Sequence, residues 1–155
     1  MKYLKETFLG LCLFSSGFMF SQNLNPSSLP TSLVEASKVA GIPAKGVSWE
    51  LKNGVYEAEY KLNGVEITNL FSETSVLLAT ETELKINDLP PAVLKYSSVT
   101  WPGKKITEAS KIEWVSGTVQ YEIEIEGNEY LLDNNGMLIN QDEEDDDDSE
   151  QEVTD

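Results

Sequence analysis

The chain nearly repeats itself. Leu29-Pro30 opens a short helical stretch, and Leu89-Pro90 opens another sixty residues later; Tyr56-Glu57-Ala58-Glu59-Tyr60 returns sixty-five residues on as Tyr121-Glu122-Ile123-Glu124-Ile125. Recurrence at such spacing is weighed before any single motif is given a chemical meaning, because a structural unit used twice reproduces its own pattern. At 155 residues there is room for two small units sharing a core, and none for a third domain.

Each unit reads as one helix followed by four strands. Proline is tolerated at the start of a helix, and Leu33, Val34, Ala36, Val39 and Ala40 follow Leu29-Pro30 at spacings that bury one face; Gly41-Ile42-Pro43 ends the run. Val47 to Lys52 then alternates apolar with polar, Asn53-Gly54 is a two-residue hairpin turn, Tyr56 to Leu62 resumes the alternation, and Asn63-Gly64 turns again. Val65 to Phe71 and Ser75 to Thr80 supply the third and fourth strands. In the second unit Leu89 to Tyr96 is the helix and Trp101-Pro102-Gly103 the break. Its strands are Lys105 to Trp114, Val119 to Glu126, Asn128 to Leu132 and Gly136 to Asn140. The expected fold class is therefore α+β: two tandem repeats, 29–88 and 89–141, joined as one antiparallel sheet with the helices packed on one face, since neither copy buries enough surface alone.

The flanks differ from this body. Residues 1–21 have a weakly basic start, a short apolar run from Phe8 to Phe20 and a small residue, Ser21, before a polar stretch, which is the pattern of a secretory signal peptide. The apolar run is shorter than the roughly 20 residues a bilayer span needs. Cys12 lies inside it, so the exported chain is expected to contain no cysteine and to be held by packing alone. Residues 22–28 are polar and read as a linker. Residues 142–155 carry ten acidic side chains and no base, and read as a disordered tail.

The net charge is −16, and from Gln22 to Gln141 there are 16 acidic residues against 9 lysines. A chain so acidic is repelled by nucleic acid and by anionic membrane, which excludes both as partners once the leader is cleaved. Histidine and arginine are absent. Histidine-based triads and zinc sites are excluded with them, and no cofactor or enzymatic activity is expected.

Carboxylates remain. Glu57 and Glu59, and likewise Glu122 and Glu124, lie two apart on strands and so share a face. Alternation alone explains them as a solvated face whose intervening residues form the core. Asp145 to Asp148 could hold calcium weakly, but Asp133-Asn134-Asn135-Gly136 lacks the later ligands of an EF-hand and reads as a hairpin turn. Among the aromatics Trp101, in a connecting segment, is the tryptophan expected to be partly exposed, although packing explains it as well.

The Leu-Pro helix start, the Trp-Pro break, the Tyr-Glu-x-Glu strand and the Asp-x-x-Gly-x-Leu ending, in order, resemble the PepSY-like family of exported bacterial proteins, also described as β-lactamase-inhibitor-like. The second unit carries the likeness more fully; in the first, Ser72-Glu73-Thr74-Ser75 stands in for the Asp-and-Gly turn and Gly41-Ile42-Pro43 for the aromatic-proline break. The resemblance implies a helix-plus-four-stranded repeat, a periplasmic or secreted location, and binding of another exported protein through a concave sheet face, with no catalytic residues. The expected function is thus a non-enzymatic protein-binding module, an inhibitor or modulator of an as yet unidentified exported protein, with Trp101, Glu57, Glu59, Glu122 and Glu124 as candidate contacts. Alternative readings are a binder of calcium or cationic ligands through the tail and strand carboxylates and, more weakly, a carboxylate-dependent hydrolase.

Overall fold

A computed structural model describes residues 22–141. The leader 1–21 and the acidic tail 142–155 lie outside them. Nine strands form a single antiparallel sheet in chain order: β1 (Gln22–Asn23), β2 (Val47–Lys52), β3 (Val55–Leu62), β4 (Val65–Ser72), β5 (Leu77–Glu83), β6 (Ile106–Trp114), β7 (Val119–Ile125), β8 (Asn128–Asp133) and β9 (Leu138–Gln141). Helix α1 (Thr31–Val39) precedes β2 and helix α2 (Pro91–Thr100) precedes β6, each introduced by a 3-10 turn. The expected α+β class, with two helices and one antiparallel sheet, is what forms.

Local chemistry explains the elements. Pro30 and Pro90 cap the two helices with nearly the same backbone, φ −55° ψ 140° and φ −54° ψ 141°. Asn53-Gly54 and Asn63-Gly64 both hold positive φ at each residue, as a type I′ hairpin requires, and Glu126-Gly127 does the same between β7 and β8. Asp133 closes the β8–β9 turn by accepting from the backbone N–H of Asn135 and of Met137, both at 2.8 Å. In the β4–β5 turn Ser72 Oγ accepts from Val76 N–H at 3.1 Å, and Ser75 takes the left-handed position, φ 65°, that Gly136 fills at 77°. Ser75 is held there by its hydroxyl, 2.8 Å from that of Ser32 on α1.

Both helices sit on the same side of the sheet. Leu33 of α1 packs on Trp49, Ala58, Tyr60 and Phe71, and Val93 of α2 packs with Leu89 on Ala109, Ile123, Ile125, Tyr130 and Leu132. Strand pairing places these sheet residues on one face, because opposed residues in an antiparallel ladder point the same way. Each fully buried Leu, Val or Phe here contributes about 1.5–3 kcal/mol.

Several boundaries differ from expectation, α2 running on to Thr100 rather than ending at Tyr96, and two of the differences bear on the sheet. Residues 22–28, read as a linker, hold β1 and a 3-10 turn: Asn23 pairs with Glu50, and Leu24 N–H donates to the Trp49 carbonyl at 2.8 Å. A polar run can still be ordered when its backbone completes a sheet edge. Strand β5 runs to Glu83 rather than ending at Thr80, since Thr80 and Thr82 continue the alternation that β-branched side chains favour.

Gly136 is required by space as well as by φ. A Cβ there would stand 2.5 Å from the Ala92 carbonyl oxygen at the start of α2, whereas at Gly127, φ 82°, nothing lies within 4 Å. Gly136→Ala is therefore expected to cost at least about 2 kcal/mol and Gly127→Ala about 1 kcal/mol. Chemical denaturation of the two variants, read as midpoint shifts at constant slope, checks the difference.

Candidate functional site

The face opposite the helices is built by the residues that alternate with the core. Across the ladder they fall in rows. One row runs Glu50, Glu57, Leu70, Ala79, Trp114; the next Glu59, Thr68, Glu81, Ile112, Gln120; the next Lys61, Glu66, Glu83, Ser110, Glu122, Leu131; and a last one Glu108, Glu124, Glu129. Neither α1 nor α2 packs on this face. Leu70, Ala79, Ile112 and Leu131 form an apolar cluster on it, spanning the junction of β5 and β6. Beside that cluster lies a cleft of about 660 Å³ lined by Glu66, Thr68, Glu81, Glu83, Glu108, Ser110, Glu122, Glu124 and Glu129, with Lys61 and Lys85 among its other lining residues.

Register on the helix side fixes where these carboxylates stand. Tyr60 donates to Asn69 Oδ1 at 3.0 Å, and Asn69 Nδ2 donates to Thr80 Oγ1 at 2.8 Å, tying β3, β4 and β5 together through polar side chains beneath the core. With Asn69 and Thr80 opposed, Thr68 and Glu81 must be opposed on the other face.

Lys52 answers part of the charge. Its ammonium lies 2.9 Å from Glu57 and 3.3 Å from Glu50. Burial alone would lower its pKa, but the hydrogen bonds and charges of these two glutamates outweigh that and raise it. Burial raises the pKa of Glu57 against the pull of Lys52, with Glu50 and Glu59 adding to the rise. Glu59 is raised by partial burial, then by Glu66 and Glu50.

Glu81 is the outlier. It is only 7% exposed, and its Oε2 makes no hydrogen bond. Burial pushes its pKa up to about 7; Ser110 is near enough to temper the rise, while Glu57 and Glu66 add to it and Lys52 opposes it. The buried Ser110 hydroxyl likewise lacks a partner of acceptable hydrogen-bond geometry. An unsatisfied buried polar group costs about 1–3 kcal/mol.

The structure puts four of the five expected contacts on this face. Glu57 and Glu122 are buried, Glu59 is exposed, and half-buried Glu124 accepts from Thr107 Oγ1 at 2.6 Å. The expectation of a wholly solvated face is thus corrected: on interior strands long side chains from both neighbours, about 4.8 Å away, cover one another. Glu122 and Glu124 line the cleft; Glu57 and Glu59 do not. The two pairs stand apart from each other, since four strand spacings, roughly 19 Å, separate β3 from β7. Trp101 lies on the helix side, its ring centroid 4.2 Å from that of Tyr130 and 5.6 Å from that of Tyr96. Trp101→Ala is expected to cost about 3 kcal/mol by thermal unfolding and to leave the open face unchanged.

Glu66, Glu81, Glu83 and Glu108 went unnoticed in the sequence, and the Thr80-Glu81-Thr82-Glu83 alternation was the available signal. Asp133 serves its turn, and hydrogen bonds, first from Met137 N–H, hold its carboxyl below the usual range. Among the described residues no group of three or more acidic, cysteine or histidine side chains is arranged to hold a metal ion, and no helix is long and apolar enough to cross a membrane.

No family model and no curated protein matches the chain. Solved structures do. A DUF2874 family protein of Bacteroides uniformis ATCC 8492 superposes with a TM-score of 0.64 at 19% identity, covering 73% of this chain and 88% of that one. A Bacteroides eggerthii DSM 20697 protein whose name proposes the periplasm as its location gives 0.64 at 16%, covering 72% and 86%. A BLIP-like protein of Bacteroides fragilis NCTC 9343 gives 0.58 at 26%, covering 73% and 86%. The fold is β-lactamase-inhibitor-like.

Raising a buried acid's pKa in the folded state makes stability fall with pH, because the folded chain then holds a proton that the unfolded chain has released. For Glu81 the window runs from the ordinary 4.5 to about 7, and the full loss is on the order of 3 kcal/mol. Glu57 and Glu59 act in the same sense. Glu81→Gln is expected to flatten the fall between pH 5 and 8 and to be the more stable protein at pH 8. Urea denaturation across that range measures both, and an unchanged pH profile would refute the assignment.

Proposed function

We propose that this chain is an exported, non-enzymatic protein-binding module of the PepSY-like kind, built from two tandem repeats, that holds and modulates another exported or envelope protein through the open face of its sheet. The observation that carries the proposal is that face itself: no helix packs on it, yet Glu57, Glu81 and Glu122 are buried there and an oxygen of Glu81 has no hydrogen-bond partner, at a cost to stability. Folded domains rarely keep an unsatisfied buried polar group without a use for it.

The repeat reading is supported by matching detail. Leu24 N–H bonds the Trp49 carbonyl as Leu84 N–H bonds that of Ala109, both at 2.8 Å. Ser72 N–H bonds the Val76 carbonyl as Asp133 N–H bonds that of Met137, both at 2.9 Å. The location is supported by the leader-like N-terminus and by the similarity to a protein whose name proposes the periplasm. Inhibition is the form of modulation suggested by the BLIP-like fold, although a fold alone does not determine a function.

The test is capture from bacterial envelope extract with the chain and two charge-reversed forms. Glu83→Lys with Glu108→Lys alters exposed positions on the open face; Glu35→Lys alters exposed α1. A partner lost with the first and retained with the second supports the proposal. Retention by the open-face variant, or no captured protein at all, refutes it.

A further inference from the structure

If the open face meets a partner, as just proposed, its cleft specifies the chemical group that partner brings. Seven glutamates line the cleft against two lysines, and one of these, Lys61, is already 3.3 Å from Glu66. Lys52 serves Glu50 and Glu57, neither of which lines the cleft. The wall therefore carries an excess of negative charge that its own cations do not balance.

A second deficit is independent of the charge. Glu81, nine-tenths buried in the wall, has an oxygen without a hydrogen-bond donor, and the neighbouring Ser110 hydroxyl is also without a partner. Within the protein alone the cheapest remedy is a proton on Glu81. A ligand that brings both positive charge and N–H donors supplies another, and among biological groups ammonium and guanidinium do so with several donors each. Val65, Leu84 and Ile86, which line the same cleft, offer apolar surface for the methylenes of a long basic side chain. The cleft volume falls within the ordinary range for ligand sites. A divalent cation would need a compact set of oxygen ligands, an arrangement absent among the described residues.

We propose that this cleft is a socket for a lysine or arginine side chain presented by a partner protein, with Glu81 as the floor charge that the cation neutralises in place of a proton, and Glu83, Glu108, Glu122 and Glu124 as the rim. Binding is then coupled to pH. The groups facing Glu81 are Lys52 on β2, Glu57 and Glu59 on β3, Glu66 and Thr68 on β4, Glu83 on β5 itself, Ser110 on β6 and Glu122 on β7.

The test is NMR titration of the purified chain with acetyl-Ala-Lys-Ala-amide and acetyl-Ala-Arg-Ala-amide, against acetyl-Ala-Gln-Ala-amide, calcium chloride and spermidine. Saturable shifts confined to the cleft residues of β4 to β7 are expected for the two basic peptides at pH 8, weakening about fivefold or more at pH 5.5. Glu81→Gln should weaken binding by a similar factor at pH 8 and remove most of the pH dependence. The exposed pair Glu83→Gln with Glu108→Gln should also weaken it, which guards against a folding defect in the buried variant, and Glu35→Gln on α1 should not. Equal binding of the glutamine peptide, shifts mapping elsewhere, or an equal loss with Glu35→Gln would overturn the proposal. So would tighter occupation of the cleft by calcium, marking a metal site, or by spermidine, marking a free polyamine site. If the peptides fail while envelope capture still depends on the open face, the socket is refuted and the binding face stands; if no protein is captured, the face itself is refuted whatever the peptides do.

Discussion

The ladder between β5 and β6 is the contact on which the rest depends. It pairs Ala79 with Trp114 through to Glu83 with Ser110, and so turns two four-stranded sets into one sheet. Strand β5 ends the first set and also gives the second its outer neighbour, the place that the two-residue β1 takes for the first. Without this pairing each set would expose one more hydrogen-bonding edge and would rest on a core of six or seven buried residues. The cleft also lies along the seam: its lining comes from β3, β4 and β5 on one side and from β6, β7 and β8 on the other. Structure and candidate site share one origin.

A meander in strict chain order leaves each strand residue only a choice of face. On one side the alternation delivers Trp49, Ala58, Phe71, Ile123 and Leu132 to the helices, and on the other it delivers carboxylates. Stabilisation is concentrated on the helix side, where burial is apolar. The open side works against stability, because Glu57, Glu81 and Glu122 are withdrawn from water, and Lys52 divides its charge between Glu57 and Glu50. Sequences tend to break the rules of stable packing where a site needs it. The tension at Glu81 is therefore more readily understood as readiness for a ligand than as a defect of the core.

Much of the fold was legible because it rests on local rules. Asn53-Gly54 and Asn63-Gly64 fix two hairpins by backbone sterics alone, and the Leu-Pro pairs mark both helix starts. What escaped notice depends on partners distant in sequence. Gln22 and Asn23 look like linker until β2 supplies their hydrogen bonds. Glu81 looks like the start of a loop until β4 and β6 enclose it. Trp101, expected to be partly exposed, is half-buried, and only the structure shows that Tyr96 and Tyr130 flank its ring. Of the expected contacts, Glu122 and Glu124 line the cleft, because a period of two assigns a face correctly without reporting which neighbours lie across it.

Taken alone, the amino-acid order determined the elements, their alternation, the hairpin turns and the absence of histidine and arginine chemistry, since each follows from residue type and from neighbours within a few positions. Only the assembled sheet decided which glutamates are buried, which of them share a cleft, and that Glu81 lacks a donor. Burial and electrostatic coupling are sums over strands far apart in the chain, and those sums exist only once β4, β5 and β6 lie side by side.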